Sequence, residues 1–134
     1  MSTLKADTIQ STGGGAATLT NQSAAKAWVN FNGAGTVASR DSFNISGITD
    51  SGAGDYTTSF SSSLANANFS FLTCNSDDAT SFGVTTGYAY GVWKVGTNAS
   101  VYSTGSMRFQ VGFPSNQTLY DQKFVNTSVN GDLA

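Results

Sequence analysis

The sequence predicts an all-β fold, and three observations carry that prediction. Ser, Thr, Asn and Gly dominate the composition, and such residues suit turns and strand surfaces rather than helices. Charged residues make up only 10% of the chain, and all eight acids are Asp, with no Glu. Apolar residues alternate with polar ones in short runs, and turn signals recur about every ten residues. That rhythm fits an antiparallel β-sandwich or jelly-roll.

The most informative stretch is Ala24–Asn44. Ala27, Val29 and Phe31 alternate with Trp28, Asn30 and Asn32, the period of a half-buried strand. Gly33-Ala34-Gly35 reads as a hairpin loop. Thr36–Phe43 continues extended, with Val37, Ser39, Asp41 and Phe43 on one face and Thr36, Ala38, Arg40 and Ser42 on the other. Helix competes only over residues 21–27, where Asn21 could cap a turn.

Ahead of this stretch, Ser2–Ser11 is polar and extended, with Leu4 and Ala6 on one face and Ile9 on the other. Gly13-Gly14-Gly15 interrupts it, and a short piece around Leu19 follows. Residues 1–20 therefore read as an N-terminal arm, and residues 21–134 as a β-rich globular domain. The arm admits two readings, a loose terminus or a segment that docks on a partner chain.

Downstream, Asn44–Ile48 and Tyr56–Phe60 flank a loop, Asp50–Asp55, with the spacing of a second hairpin. Asp50 and Asp55 fit no calcium-loop spacing, and Asp and Gly are favoured in turns regardless. Phe69–Asn75 is a strand either buried on both faces or packed at an interface, and Cys74 within it reads as a buried free thiol. Phe82–Val95 carries Tyr88, Tyr90 and Val92 on one face and Ala89, Gly91 and Trp93 on the other. Further strands are expected at Ser100–Ser103 and Ser106–Phe113. The latter has Met107, Phe109, Val111 and Phe113 on one side, and Pro114 ends it. Leu119–Asp121 and Lys123–Val129 give the last one or two strands.

Several function classes are disfavoured. The chain has no His and one Cys, which removes His-based triads and Cys- or His-ligated metal sites within one chain. No phosphate-binding or dinucleotide fingerprint occurs. Net charge is −2 without a basic run, so nucleic-acid binding is not expected. No apolar run is long enough for a transmembrane helix. The opening MSTLKADTIQ lacks the apolar core of a secretory signal, so folding in a cytoplasm is expected. No catalytic set, cofactor or metal is expected. Few charges and a core rich in alanine suggest stability shared between subunits. Leu4, Ile9, Leu19, Trp28 and Phe31 are the candidate oligomer and arm interface, with Trp28 and Phe31 near the base where arm and domain meet.

The segment STLKADTIQSTGGGAATLTNQSAAKAWVNFNGAGTVASRDSFNISGITDSGAGDYTTSF, residues 2–60, resembles a module of fibre, spike and related structural proteins of marine tailed bacteriophages, cyanobacterial phages especially. The signal lies in the words AKAWVNFNG and RDSFNISGITD, in order and at this spacing. The ending GDLA is also similar to that family's terminus, and the resemblance does not extend to the middle, about 70–115. The familiar form has an apolar residue where Ser39 stands, so this chain diverges at that strand. The resemblance implies a virion structural protein, a homotrimer attached to other virion proteins at a head or tail. It further implies non-catalytic contact with a glycan or protein on the host surface. A capsid or tail decoration or adaptor protein without a receptor role is the alternative. For an adhesin, Tyr88, Tyr90 and Trp93 are the candidate receptor residues, since sugars stack on aromatic rings beside amides and hydroxyls. The competing reading places those aromatics in the core.

Overall fold

A computed structural model describes residues 12–13, 25–76, 101–113 and 118–131. Over these residues the protein is all-β, and every strand pair is antiparallel. The strands are β1 (Ala25–Asn32), β2 (Ala38–Phe43), β3 (Ile45–Gly52), β4 (Asp55–Phe60), β5 (Ser70–Ser76), β6 (Ser106–Gln110), β7 (Gly112–Phe113), β8 (Thr118–Leu119) and β9 (Phe124–Asn130). One sheet has the order β2-β1-β9-β5, a second β3-β4-β6, and β7 pairs with β8 in a small ribbon.

The two larger sheets face each other across one core. From the first sheet come Ala27, Val29, Phe31, Val125 and Val129, all at most 1% exposed. Opposite them stand Tyr56, Met107 and Phe109, all fully buried. Contact across the gap is largely aromatic. Phe31 meets Tyr56 edge-on at 5.1 Å between ring centroids, and Phe71 meets Phe109 at 5.2 Å. Such pairs add about 0.5–1.5 kcal/mol each beyond area burial.

Both hairpins expected from the sequence form. β1 and β2 pair from Trp28↔Phe43 to Asn32↔Ala38, and β3 and β4 pair from Ile45↔Phe60 to Gly52↔Asp55. Four local expectations are corrected. Ala25–Ala27 is not a helical turn but the start of β1, because Ala27 is paired with Val129 and wholly buried. Pairing and burial outweigh alanine's helical preference there. Strict alternation over Thr36–Phe43 fails at a bulge. Asn30 pairs with Asp41 and Phe31 with Ser39, which leaves Arg40 as the extra residue. Ser39 and Asp41 consequently lie on opposite faces. Of the strand expected at Ser100–Ser103, the described residues 101–103 form no strand, and the β-pairing there is the isolated bridge Tyr102↔Met107. Finally, Cys74 is exposed, because it alternates with the inward residues Phe71, Thr73 and Asn75 on β5, the outermost strand of its sheet among the described residues.

A single residue carries the chain from one sheet to the other. Asn44, between β2 and β3, has φ of 56°. Asn tolerates this left-handed conformation better than most residues. Its Nδ2 donates to the carbonyls of Lys26 and Ser62 at 3.0 and 3.1 Å, and its Oδ1 accepts the Ser62 N–H at 2.7 Å. The corner is thereby tied to β1 and to the loop after β4.

The opposite end is closed by residues 118–123. Tyr120 N–H donates to the Val111 carbonyl at 3.1 Å, and Gly33 N–H to the Gln122 carbonyl at 2.9 Å. Of the arm expected over residues 1–20, only the exposed turn at Thr12–Gly13 falls within the described residues.

Candidate functional surface

The outer face of the four-stranded sheet is the most distinctive surface among the described residues. It follows from the inward alternation. With Ala27, Val29 and Phe31 turned to the core, Trp28, Asn30 and Asn32 must point outward. The same holds for Phe124, Asn126 and Ser128 on β9, and for Leu72 and Cys74 on β5. Registered partners share a face, so these side chains align in rows across the sheet.

One row runs Phe43, Trp28, Ser128, Leu72 across all four strands. At strand spacings near 4.8 Å it spans roughly 15 Å. Phe43 is 46% exposed and Leu72 60%, whereas Trp28 is half-buried between its neighbours. The next row runs Asp41, Asn30, Asn126, Cys74. Asn30 Nδ2 donates to Asn126 Oδ1, so these two amides are locked together. The bulge aims Arg40 over this face. Its guanidinium carbon stands 4.2 Å from the Phe124 ring centroid, and its Nη2 donates to the Lys123 carbonyl at 2.6 Å. A stacked cation of this kind contributes about 0.5–1 kcal/mol at an exposed site.

Asp55 is held by an ion pair inside the described domain. Asp55 accepts two hydrogen bonds from Arg108, at 2.9 and 2.8 Å, and one from Gln110 at 2.9 Å. Burial pushes the Asp55 carboxyl up, but the Arg108 and Gln110 hydrogen bonds and the Arg108 charge outweigh it, and the group sits below the usual carboxylate value. Its hydrogen bond to Asp55, with the neighbouring negative charge, raises the Arg108 guanidinium in turn. Asp50 Oδ1 accepts the Gly52 N–H at 3.0 Å. Asp50 and Asp55 therefore serve separate partners. Among the described residues no group of three or more metal-ligating side chains converges.

Trp28 and Phe31 separate across the sheet. Trp28 lies on the outer face, whereas Phe31 is wholly buried against Tyr56 and Phe109 and offers no surface to a partner. Leu4, Ile9, Leu19, Tyr88, Tyr90 and Trp93 lie outside the described residues. Phe43 and Leu72 were not singled out from the sequence. A strand's apolar residue shows its face only once its partner strand is known.

No protein-family model, curated protein or solved structure matches this chain.

Proposed function

We propose that this protein is a non-catalytic structural component of a tailed-bacteriophage virion, a homotrimeric head or tail fibre or spike with an N-terminal arm and a jelly-roll-like domain, which contacts the host surface. The observation that carries this reading is the row Phe43–Trp28–Ser128–Leu72 on the outer sheet face, apolar at every strand but β9. Phe43 and Leu72 stand exposed at the two ends of this row, with Trp28 half-buried and Ser128 between them, and large apolar groups exposed on one face favour burial against another protein surface. Closed cyclic assembly would bury it without an open, self-propagating contact. The resemblance of residues 2–60 to phage fibre and spike modules supports the same reading. Tyr88, Tyr90 and Trp93 are the proposed receptor contacts, suited to a glycan.

The same row suits a decoration or adaptor protein, whose outer sheet face would lie against capsid or tail subunits. Immunogold labelling of virions carrying the chain separates the two. Label at fibre tips supports the host-contacting reading. Label spread over the capsid or along the tail tube supports the decoration reading. Absence from purified virions overturns both.

A further inference from the structure

Beside the corner at Asn44 lies a cleft between the free edges of the two sheets. Sheet order places β2 and β3 at edges, with no strand beyond either among the described residues. Between them is an open cleft of about 170 Å³, lined by Val37, Ser39, Ser42, Ile45, Ser46, Gly47 and Ile48. Its floor is Val37, Ile45 and Ile48, each partly buried and packed against the core. Its walls are serines and a glycine, and no charged side chain lines it.

We propose that this cleft seats residues Ser2–Ile9 of a neighbouring copy, running as an added strand along the free edge of β3. The proposal rests on the assembled reading above and names the surface through which copies join. Three observations carry it. First, β3 has the sequence ISGITDSG, without Lys or Pro. Bulges between Ile45 and Gly47 and between Asp50 and Gly52, with the Asp50 charge, blunt its ends, and between them Gly47–Thr49 leaves a regular, uncharged edge that a covering strand can pair with. Small walls let a second backbone approach within hydrogen-bonding distance, and a Cβ built on Gly47 meets nothing within 4 Å.

Second, β1 begins at this corner with Ala25, which is where residues 1–24 join the domain. β1 pairs with β2 only from Trp28 onward, so Ala25–Ala27 run past the end of β2. The Lys26 carbonyl there accepts from Asn44, one residue before the cleft residue Ile45. Third, the segment has the right pattern and reach. Leu4 and Ala6 share one face of an extended Ser2–Ile9, matching an apolar floor. Residues 10–24, extended at ~3.3 Å each, span up to roughly 50 Å. A domain of about 110 residues is roughly 30–35 Å across, so the connection outreaches its own domain.

The test uses the full chain and a chain lacking residues 2–11, both carrying Cys74→Ser. Amide exchange over β3 should be slower in the full chain by a factor of about ten or more, and a synthetic peptide of residues 2–11 should restore protection to the shortened chain. A tagged Leu4→Cys chain mixed with an untagged Gly47→Cys chain should be bridged by a short bismaleimide into a mixed dimer. Equal β3 exchange in the two chains overturns the proposal. So does protection in a chain that light scattering shows to be monomeric, because the segment then folds back on its own domain. A trimer without β3 protection overturns the cleft assignment alone and leaves the assembled reading standing.

Discussion

Tyr56 and Asp121 lie 65 residues apart, and the Tyr56 hydroxyl donates to Asp121 Oδ1 at 2.9 Å. The same oxygen accepts the Gly54 N–H at 2.7 Å, and the Tyr56 hydroxyl also lies 3.1 Å from the Gly33 carbonyl. One phenol thus joins the start of β4, the β1–β2 turn and the segment before β9. The position is crowded. Gly54 has φ of +63°, and a Cβ there would strike the Val111 carbonyl oxygen.

Removing this hydroxyl should be felt in stability and in alkali. Tyr56→Phe leaves Asp121 without one donor and should cost about 1–2 kcal/mol, read as a lower urea midpoint. Burial, the Asp121 hydrogen bond and the charges of Asp121 and Asp50 push the phenol far above its ordinary value of 10.0. The folded state therefore holds its proton more tightly than the unfolded chain. That contribution is fully present below pH 10.0 and is lost as pH rises above it. Urea midpoints should fall less between pH 9 and 11 in Tyr56→Phe than in the parent (about the range of tyrosine titration). Parallel declines would contradict the assignment.

The Asp55–Arg108 pair should govern part of the acid limb. The folded carboxyl lies below its ordinary value of 3.8, so its contribution is present above that pH and is lost as pH falls through the lower folded value. The Arg108 side chain is 31% exposed, so solvent screening keeps the effect modest, about 1 kcal/mol for Asp55→Asn at neutral pH. Acid titrations followed by tryptophan fluorescence should show a shallower decline for that variant.

Asn44 should discriminate between Ala and Gly. Asn44→Ala removes three side-chain hydrogen bonds and keeps a side chain at φ of 56°, and should cost about 2–4 kcal/mol. Asn44→Gly loses the same bonds but relieves the backbone, so it should be milder by about 1 kcal/mol. Equal thermal midpoints for the two would mean that the left-handed backbone costs nothing here.

Phe31 and Leu72 should behave oppositely. Phe31 is fully buried, and Phe31→Ala should cost about 3–5 kcal/mol by opening a cavity. Leu72 is 60% exposed, and Leu72→Ser should change the stability of a single chain by less than about 0.5 kcal/mol. If the outer face is buried in an assembly, Leu72→Ser should nevertheless lower the oligomer mass measured by light scattering at micromolar concentration. Unchanged mass would remove that face from the interface.

Much of the fold was legible in the sequence because its determinants are local. The period-two runs Ala27-Val29-Phe31 and Met107-Phe109-Val111 specify strand and inward face together, and all six side chains are buried. Gly33-Ala34-Gly35 and the Asp50–Asp55 loop marked both hairpins. Other features were decided by tertiary structure, because they depend on which strands meet. The last long strand, β9, reads as unremarkable FVNTSVN, yet it lies between β1 and β5 and buries Val125, Thr127 and Val129. The exposure of Cys74 and Leu72 followed from the pairing of β5 with β9, which turns Phe71 and Thr73 inward. The bulge that turns Arg40 onto Phe124 breaks an alternation that the sequence shows as regular. Pattern determines how a segment folds on itself; pairing across 65 or 96 residues, as in Tyr56–Asp121 and Asn30–Asn126, is selected only when the whole core closes around it.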